Sequence, residues 1–295
     1  MTLAEIVLAL MLVLQPPGRS VYSLVEVPEG SPPACDDATN LLCAAPKLDP
    51  SRGVWVRPET RAEGAARYWT IAQEIAAVAE ATTWQPTAEC PKRPTVRVVG
   101  GFGDPRNACE RAALERPWTG KAEELARYLV TVSFHESGFR RDVHSGIGNY
   151  ARGDNGKSWC LGQIMLGTSG RGKTSRGFVA SSIVGIDPEP TRRCLQTAAD
   201  KLALSRAFCA SPYGPGDVGP PCVTAVYGGS ALLATTSIIR KRAITYRRLV
   251  DSWKSAEIPV EVRGLLGLQP SQSSAASQVD ASVLQPRSHF TIPEA

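Results

Sequence analysis

Apolar residues recur every three or four positions through residues 60–83, where Tyr68, Ile71, Ile75 and Val78 share one stripe, and this spacing predicts an amphipathic helix. A second stripe runs through "KAEELARYLVTVSFHES", a helix expected to start near Thr119 or Gly120, with Leu125, Leu129 and Val132 spaced by four and three. The next position of that stripe is Glu136, a carboxylate where the core-facing pattern calls for an apolar side chain. Helical patterns return in "TRRCLQTAADKLALSRAFC", near "CVTAVYGG", and in "TTSIIRKRAITYRRLVDSWKSA". In the last of these, Ile238, Ile239, Ile244 and Leu249 are expected to pack inward beneath a solvated basic face. Strand-like runs are few and short, residues 96–99 among them. The predicted fold class is therefore mostly α, with a long loop-rich insertion at 140–190 laid over a helical core.

The apolar run at 6–14, followed by Pro16, Pro17 and Gly18, is too short to span a bilayer and suits either a signal-peptide core or a short buried helix. Glu5 stands where a signal peptide carries basic charge. The expected organisation is this segment at 1–20 and a Pro/Ser-rich linker arm at 21–58. A main domain at 59–256 follows, and a Ser/Gln/Pro-rich disordered tail at 257–295.

Eight cysteines without a CxxC pair exclude zinc-ribbon and thioredoxin spacings and point to four disulfides, expected as 35–43, 90–109, 160–194 and 209–222. Such bridges persist outside the cytoplasm, so the chain is expected to be exported, to the periplasm or the extracellular space. The net charge of +5 is dispersed and names no partner.

Rival chemistries fail on context. "GTSGRGKT" at 167–174 matches the phosphate-binding pattern with Lys173 and Thr174 in its last places, but that loop needs a strand before it, a helix after it and a parallel sheet around it. It reads as a basic loop, and no nucleotide is expected. "HESGF" lacks the second histidine of a zinc-protease helix, Phe139 standing in its place, so neither a metal nor any other cofactor is expected. Cys160 with His144 imitates a nucleophile pair, which a bridged Cys160 cannot be.

A carboxylate ending an apolar stripe loses water on one side, which disfavours its charged form. Such an acid suits glycosidic cleavage, where a proton must reach the leaving oxygen. "HESGF", then "VHSG", "GDNGKSWCLGQI" and "AVYGG" together resemble the soluble lytic transglycosylase and goose-type lysozyme superfamily, over residues 121–230. The resemblance implies a lysozyme-like helical domain, with peptidoglycan glycan strands as substrate and Glu136 as the catalytic acid/base. It places Ser137 beside the substrate, Leu161, Gln163 and Ile164 along the cleft, and Tyr227 across it with its hydroxyl in reach of the carboxylate or the sugar. In the transglycosylases of that superfamily one Glu closes a 1,6-anhydro ring. In its hydrolases a loop aspartate assists water, and Asp142 and Asp154 are the candidates here. The chain departs from the pattern at Cys160, Gly162 and Ser230, and at Gly228, where the pattern has Asn. An inactive peptidoglycan-binding or assembly protein is the reading that Gly228 favours.

Overall fold

The structure is a computed structural model that describes residues 1–14, 24–26, 47–49, 54–94, 105–147, 153–167, 171–216, 218–229 and 237–269. It is mostly helical. The Cys35–Cys43 pairing, the run at 96–99 and the tail from 270 onward lie outside the described residues.

The two helices with the clearest stripes form as expected. Helix α2 (Arg61–Thr82) starts at a capping box, with Thr60 Oγ1 accepting from Glu63 N and the Glu63 carboxylate accepting from Thr60 N. Its buried face carries Tyr68, Ile71, Ile75 and Val78. Helix α4 (Ala122–Ser137), which follows the short α3 (Ala108–Glu115), is buried over most of its circumference through Leu125, Ala126, Tyr128, Leu129, Val130 and Val132. A helix apolar on most sides belongs at the centre of a core, and α4 touches elements on several sides. They are α1 (Leu3–Leu14), α2, α7 (Pro188–Ala210) and α9 (Ser237–Ser252). The remaining helices are α5 (Arg141–Ser145), α6 (Ala180–Ile183), α8 (Pro220–Tyr227) and α10 (Val260–Leu266).

In the structure the N-terminal apolar run forms a buried helix. Val7, Leu8, Leu10 and Met11 are wholly buried against α2 and α4. Glu5, out of place in a leader, closes a capping box: its carboxylate accepts from Thr2 N at 2.8 Å, and Thr2 Oγ1 accepts from Glu5 N at 3.2 Å. Arg263 of α10 pairs with Glu5 at 3.3 Å, and Arg248 of α9 donates to Val13 O at 3.1 Å.

One boundary is corrected, and one segment holds more regular structure than expected. The tail does not begin at 257, because Ile258 is buried and α10 packs against α2. The arm at 21–58 contains three short antiparallel strands, β1 (Leu24–Glu26), β2 (Lys47–Asp49) and β3 (Val54–Pro58), in the order β1-β3-β2. Two of these strands have three residues, too few for alternation to reveal them.

Three of the expected bridges are present: Cys90–Cys109, Cys160–Cys194 and Cys209–Cys222. The second ties the loop-rich insertion to α7. For its separation of 34 residues, chain-entropy arguments give about 3–4 kcal/mol. A Cys160→Ala/Cys194→Ala chain is expected to lose about that much in urea unfolding; an unchanged midpoint would contradict it.

Candidate functional site

Glu136 lies in the last turn of α4, which stops because Gly138 takes a left-handed conformation (φ 59°) and donates its N–H to Phe134 O. Phe139 is left-handed too (φ 54°), a costly state for a side chain with a Cβ. It is held there by burial against Tyr68 and Phe134 and by Arg67 Nη1, which donates to Phe139 O at 2.6 Å. Glu59 in turn fixes Arg67 at 2.8 Å and Arg141 at 3.2 Å. The turn that aims Glu136 is thereby anchored to α2 and α5.

A small hairpin lies within electrostatic reach of Glu136 through Asp154. Strands β4 (Ser158–Trp159) and β5 (Ile164–Met165) pair antiparallel after a 3-10 turn at Asp154–Gly156. Among the described residues, the non-glycine positions with positive φ are Phe139, Asp154, Cys160 and Gln163. All four flank Glu136 in sequence or belong to this hairpin and its turn. Backbone strain of this kind concentrates where geometry serves function.

The Glu136 side chain keeps 20% exposure, whereas its partner Arg242 on α9 keeps 6%. Arg242 Nη2 donates to Glu136 Oε1 at 2.5 Å, and Nη1 donates to Thr224 O at 3.0 Å. Burial pushes the Glu136 carboxyl above the usual range. Arg242 and Lys201 pull against that push, while the Asp154 charge adds to it. The Lys201 ammonium lies 4.6 Å from the centre of the Tyr227 ring, and loss of water lowers its pKa. The result is a half-buried acid that holds its proton more tightly than a surface glutamate, beside fixed positive charge.

Several expected positions are corrected. Ser137 does not face a substrate: it is buried, its Oγ donates to Ser133 O at 2.6 Å and accepts from Phe139 N at 3.1 Å, so it serves the helix end. Leu161 and Ile164 are core residues beneath the hairpin. Tyr227 is buried, and its hydroxyl donates to Gly162 O at 2.8 Å instead of reaching for a sugar. It remains near enough to Glu136 for that charge to oppose its ionisation. Gln163 is partly exposed, and its Nε2 donates to Cys160 O at 3.1 Å. Its amide oxygen crosses the face of Gly153, where a Cβ would come within 2.2 Å. Tyr227→Phe is expected to cost about 1–3 kcal/mol, because Gly162 O would be left buried without its donor; thermal unfolding checks this.

The two candidate second carboxylates separate. Asp142 is held by Arg140, whose Nε donates to Oδ1 at 3.0 Å. Asp154 accepts from the Ser158 hydroxyl, and its charge acts on both Glu136 and Lys201. His135 bonds Thr245 Oγ1 at 2.9 Å, and burial lowers its pKa to about 4. His144 is buried against Thr191 Oγ1 at 2.7 Å. Cys160 is bridged and so cannot be a nucleophile. Thr174 Oγ1 accepts from Arg176 N and Phe178 N, building a turn and not the start of a phosphate-cradling helix.

Arg242 was missed by the reading that placed the basic residues of α9 on a solvated face. The buried stripe of α9 is Ile239, Ala243, Tyr246 and Leu249, and Arg242 falls on it, whereas Ile238 and Ile244 are exposed. The signal was available: 239, 242, 246 and 249 are spaced by three, four and three.

Among the described residues, no helix is long and apolar enough to cross a membrane, and no group of three or more His, Cys, Asp or Glu side chains could hold a metal ion. A scan against protein-family models finds no match, and neither curated proteins nor solved structures give one.

Proposed function

We propose that this chain cleaves the glycan strands of peptidoglycan through a lysozyme-like helical domain, with Glu136 as the proton-transferring group. The observation that carries the reading is a carboxyl at the end of a buried helix, partly exposed and with its proton affinity raised by burial. The resemblance of "HESGF", "GDNGKSWCLGQI" and "AVYGG" to the transglycosylases supplies the substrate. As a lytic transglycosylase, Glu136 gives its proton to the oxygen bridging N-acetylmuramic acid and N-acetylglucosamine while positive charge develops at the muramic C1. The C6 hydroxyl of the same sugar then attacks C1 and returns its proton to the Glu136 carboxylate, closing a 1,6-anhydro ring. Water is not consumed and Glu136 ends as it began. Three disulfides fit a site of action outside the cytoplasm.

Hydrolysis is the second reading, and the placement of Asp154 favours it: its charge acts on Glu136, as a carboxylate assisting water would require. Mass spectrometry of muropeptides released from purified peptidoglycan separates the two. Products lighter by one water, with 1,6-anhydro ends, support the transglycosylase. Reducing ends, lost in Asp154→Asn, support the lysozyme. A folded chain that binds the polymer and releases nothing overturns both in favour of a binding or assembly protein.

A further inference from the structure

We infer that Arg242 is a positioning residue for Glu136 and that Gly228 is a glycine in order to make room for it. This rests on the reading of Glu136 as the proton-transferring group only where rates are concerned; the coupling itself is a matter of geometry. The guanidinium is buried and held at two points, Nη2 on Glu136 Oε1 at 2.5 Å and Nη1 on Thr224 O at 3.0 Å. It therefore cannot swing aside without giving up a bond. Gly228 follows α8 with φ −76° and ψ 4°, a conformation open to any residue, so backbone freedom does not explain the glycine. Space does: a Cβ there would come within 2.7 Å of Arg242 Nη1. The pattern that the chain otherwise resembles has Asn at this position, and the Asn side chain would need the volume that the guanidinium fills.

The arrangement has a consequence for acid–base work. Arg242 engages Oε1 from the buried side. It restrains the carboxyl at that oxygen, in a side chain that keeps 20% exposure. It also favours the carboxylate that remains once the proton has gone to the leaving oxygen. Other charged or titratable groups lie within electrostatic reach of Glu136 as well: Lys201 from α7, Asp154 from the 3-10 turn and Tyr227 from α8, whose hydroxyl is bonded to Gly162 O. Of the two cations acting on Glu136, Arg242 exerts the larger pull.

The test is the titration of the Glu136 carboxyl carbon by NMR in the full chain, assigned by its loss in Glu136→Gln. Arg242→Met removes the charge, and the Glu136 midpoint is expected to rise; Arg242→Lys, which keeps the charge but not the fork, is expected to raise it less. Gly228→Asn should raise it as well by displacing the guanidinium, yet add nothing in an Arg242→Met background. If Arg242→Met does not fold, Gly228→Ala carries the same test, since its backbone is compatible. Turnover gives a second readout. The alkaline limb of activity, where Glu136 loses its proton, should move to higher pH in Arg242→Met, and kcat should fall about 10²-fold with a smaller change in KM. Midpoints unchanged in both Arg242→Met and Gly228→Asn, or additive in the double variant, would overturn the proposal. Because the titration needs no substrate, an inactive wild type would remove the glycan-cleaving function and leave this coupling to stand or fall separately.

Discussion

A chain lacking residues 1–14 is expected not to fold. Helix α1 buries Val7, Leu8, Leu10 and Met11 completely and leaves Leu14 only 6% exposed. At ~1.5–3 kcal/mol for each fully buried side chain, the five contribute roughly 7–15 kcal/mol. That is an upper figure, since unfolded chains already cover part of this surface. It still matches the whole stability of a typical domain, about 5–15 kcal/mol. Removal would also uncover the faces of α2 and α4 that α1 covers, which favours aggregation. Circular dichroism and urea unfolding of the truncated chain decide the matter. Leu8→Ala gives a milder version, with a loss of about 2–5 kcal/mol expected from the cavity it leaves. A truncated chain with an undiminished unfolding midpoint would mean that α1 is dispensable to the fold.

Glu136→Gln is expected to lower glycan cleavage by about 10²–10⁴-fold, the range for loss of a positioned acid–base group, without lowering stability at neutral pH. Burial is the first cause of the raised proton affinity of Glu136, opposed by Arg242 and Lys201. A carboxyl that binds its proton more tightly in the folded state stabilises that state fully below its ordinary value of 4.5, and this contribution is lost as pH rises through the folded value. Above that window the ionised side chain favours unfolding relative to a neutral isostere. Gln keeps an acceptor for Arg242 and carries no charge. The variant should therefore match or exceed the wild type in melting temperature at pH 7, with the gap growing as pH rises above about 4.5. A variant clearly less stable at pH 7 would show that Glu136 serves mainly as a structural partner of Arg242.

The parts of the fold that were legible are those in which apolar residues recur at helical spacing. Helices α2 and α4 announced themselves through Tyr68, Ile71, Ile75 and Val78, and through Leu125, Leu129 and Val132. Helix α1 was ambiguous because an apolar run of that length looks the same whether it leads export or fills a core. Its Thr2–Glu5 capping box was the local sign of a folded helix. In α9 the eye follows the isoleucines, and two of them, Ile238 and Ile244, turned out exposed. The stripe that packs runs through Arg242 instead.

The same lesson holds for the site. Glu136 was legible because it breaks a stripe, and Arg242 breaks the facing stripe in the same way, so two charges misplaced by pattern meet in space. Residues taken from the motifs fared differently. Ser137, Leu161, Ile164 and Tyr227 are buried and build the frame around Glu136: Ser137 finishes the helix, Leu161 and Ile164 fill the core under the hairpin, and Tyr227 ties that hairpin to α8. A motif preserves what a site needs to hold its shape as well as what it presents to a ligand, and sequence spacing does not distinguish the two. The Cys160–Cys194 bridge was legible from cysteine order, but its effect, fixing the hairpin on α7, depends on which elements pack together.

The most direct test of the central claim is the rate at which the purified full chain and its Glu136→Gln variant release soluble muropeptides from the same peptidoglycan, with both shown to be folded. Release by the wild type and its loss by at least about 10²-fold in the variant is the result expected of a proton-transferring Glu136. Release at equal rates by the two chains would contradict the role of Glu136, and release by neither would contradict glycan cleavage itself.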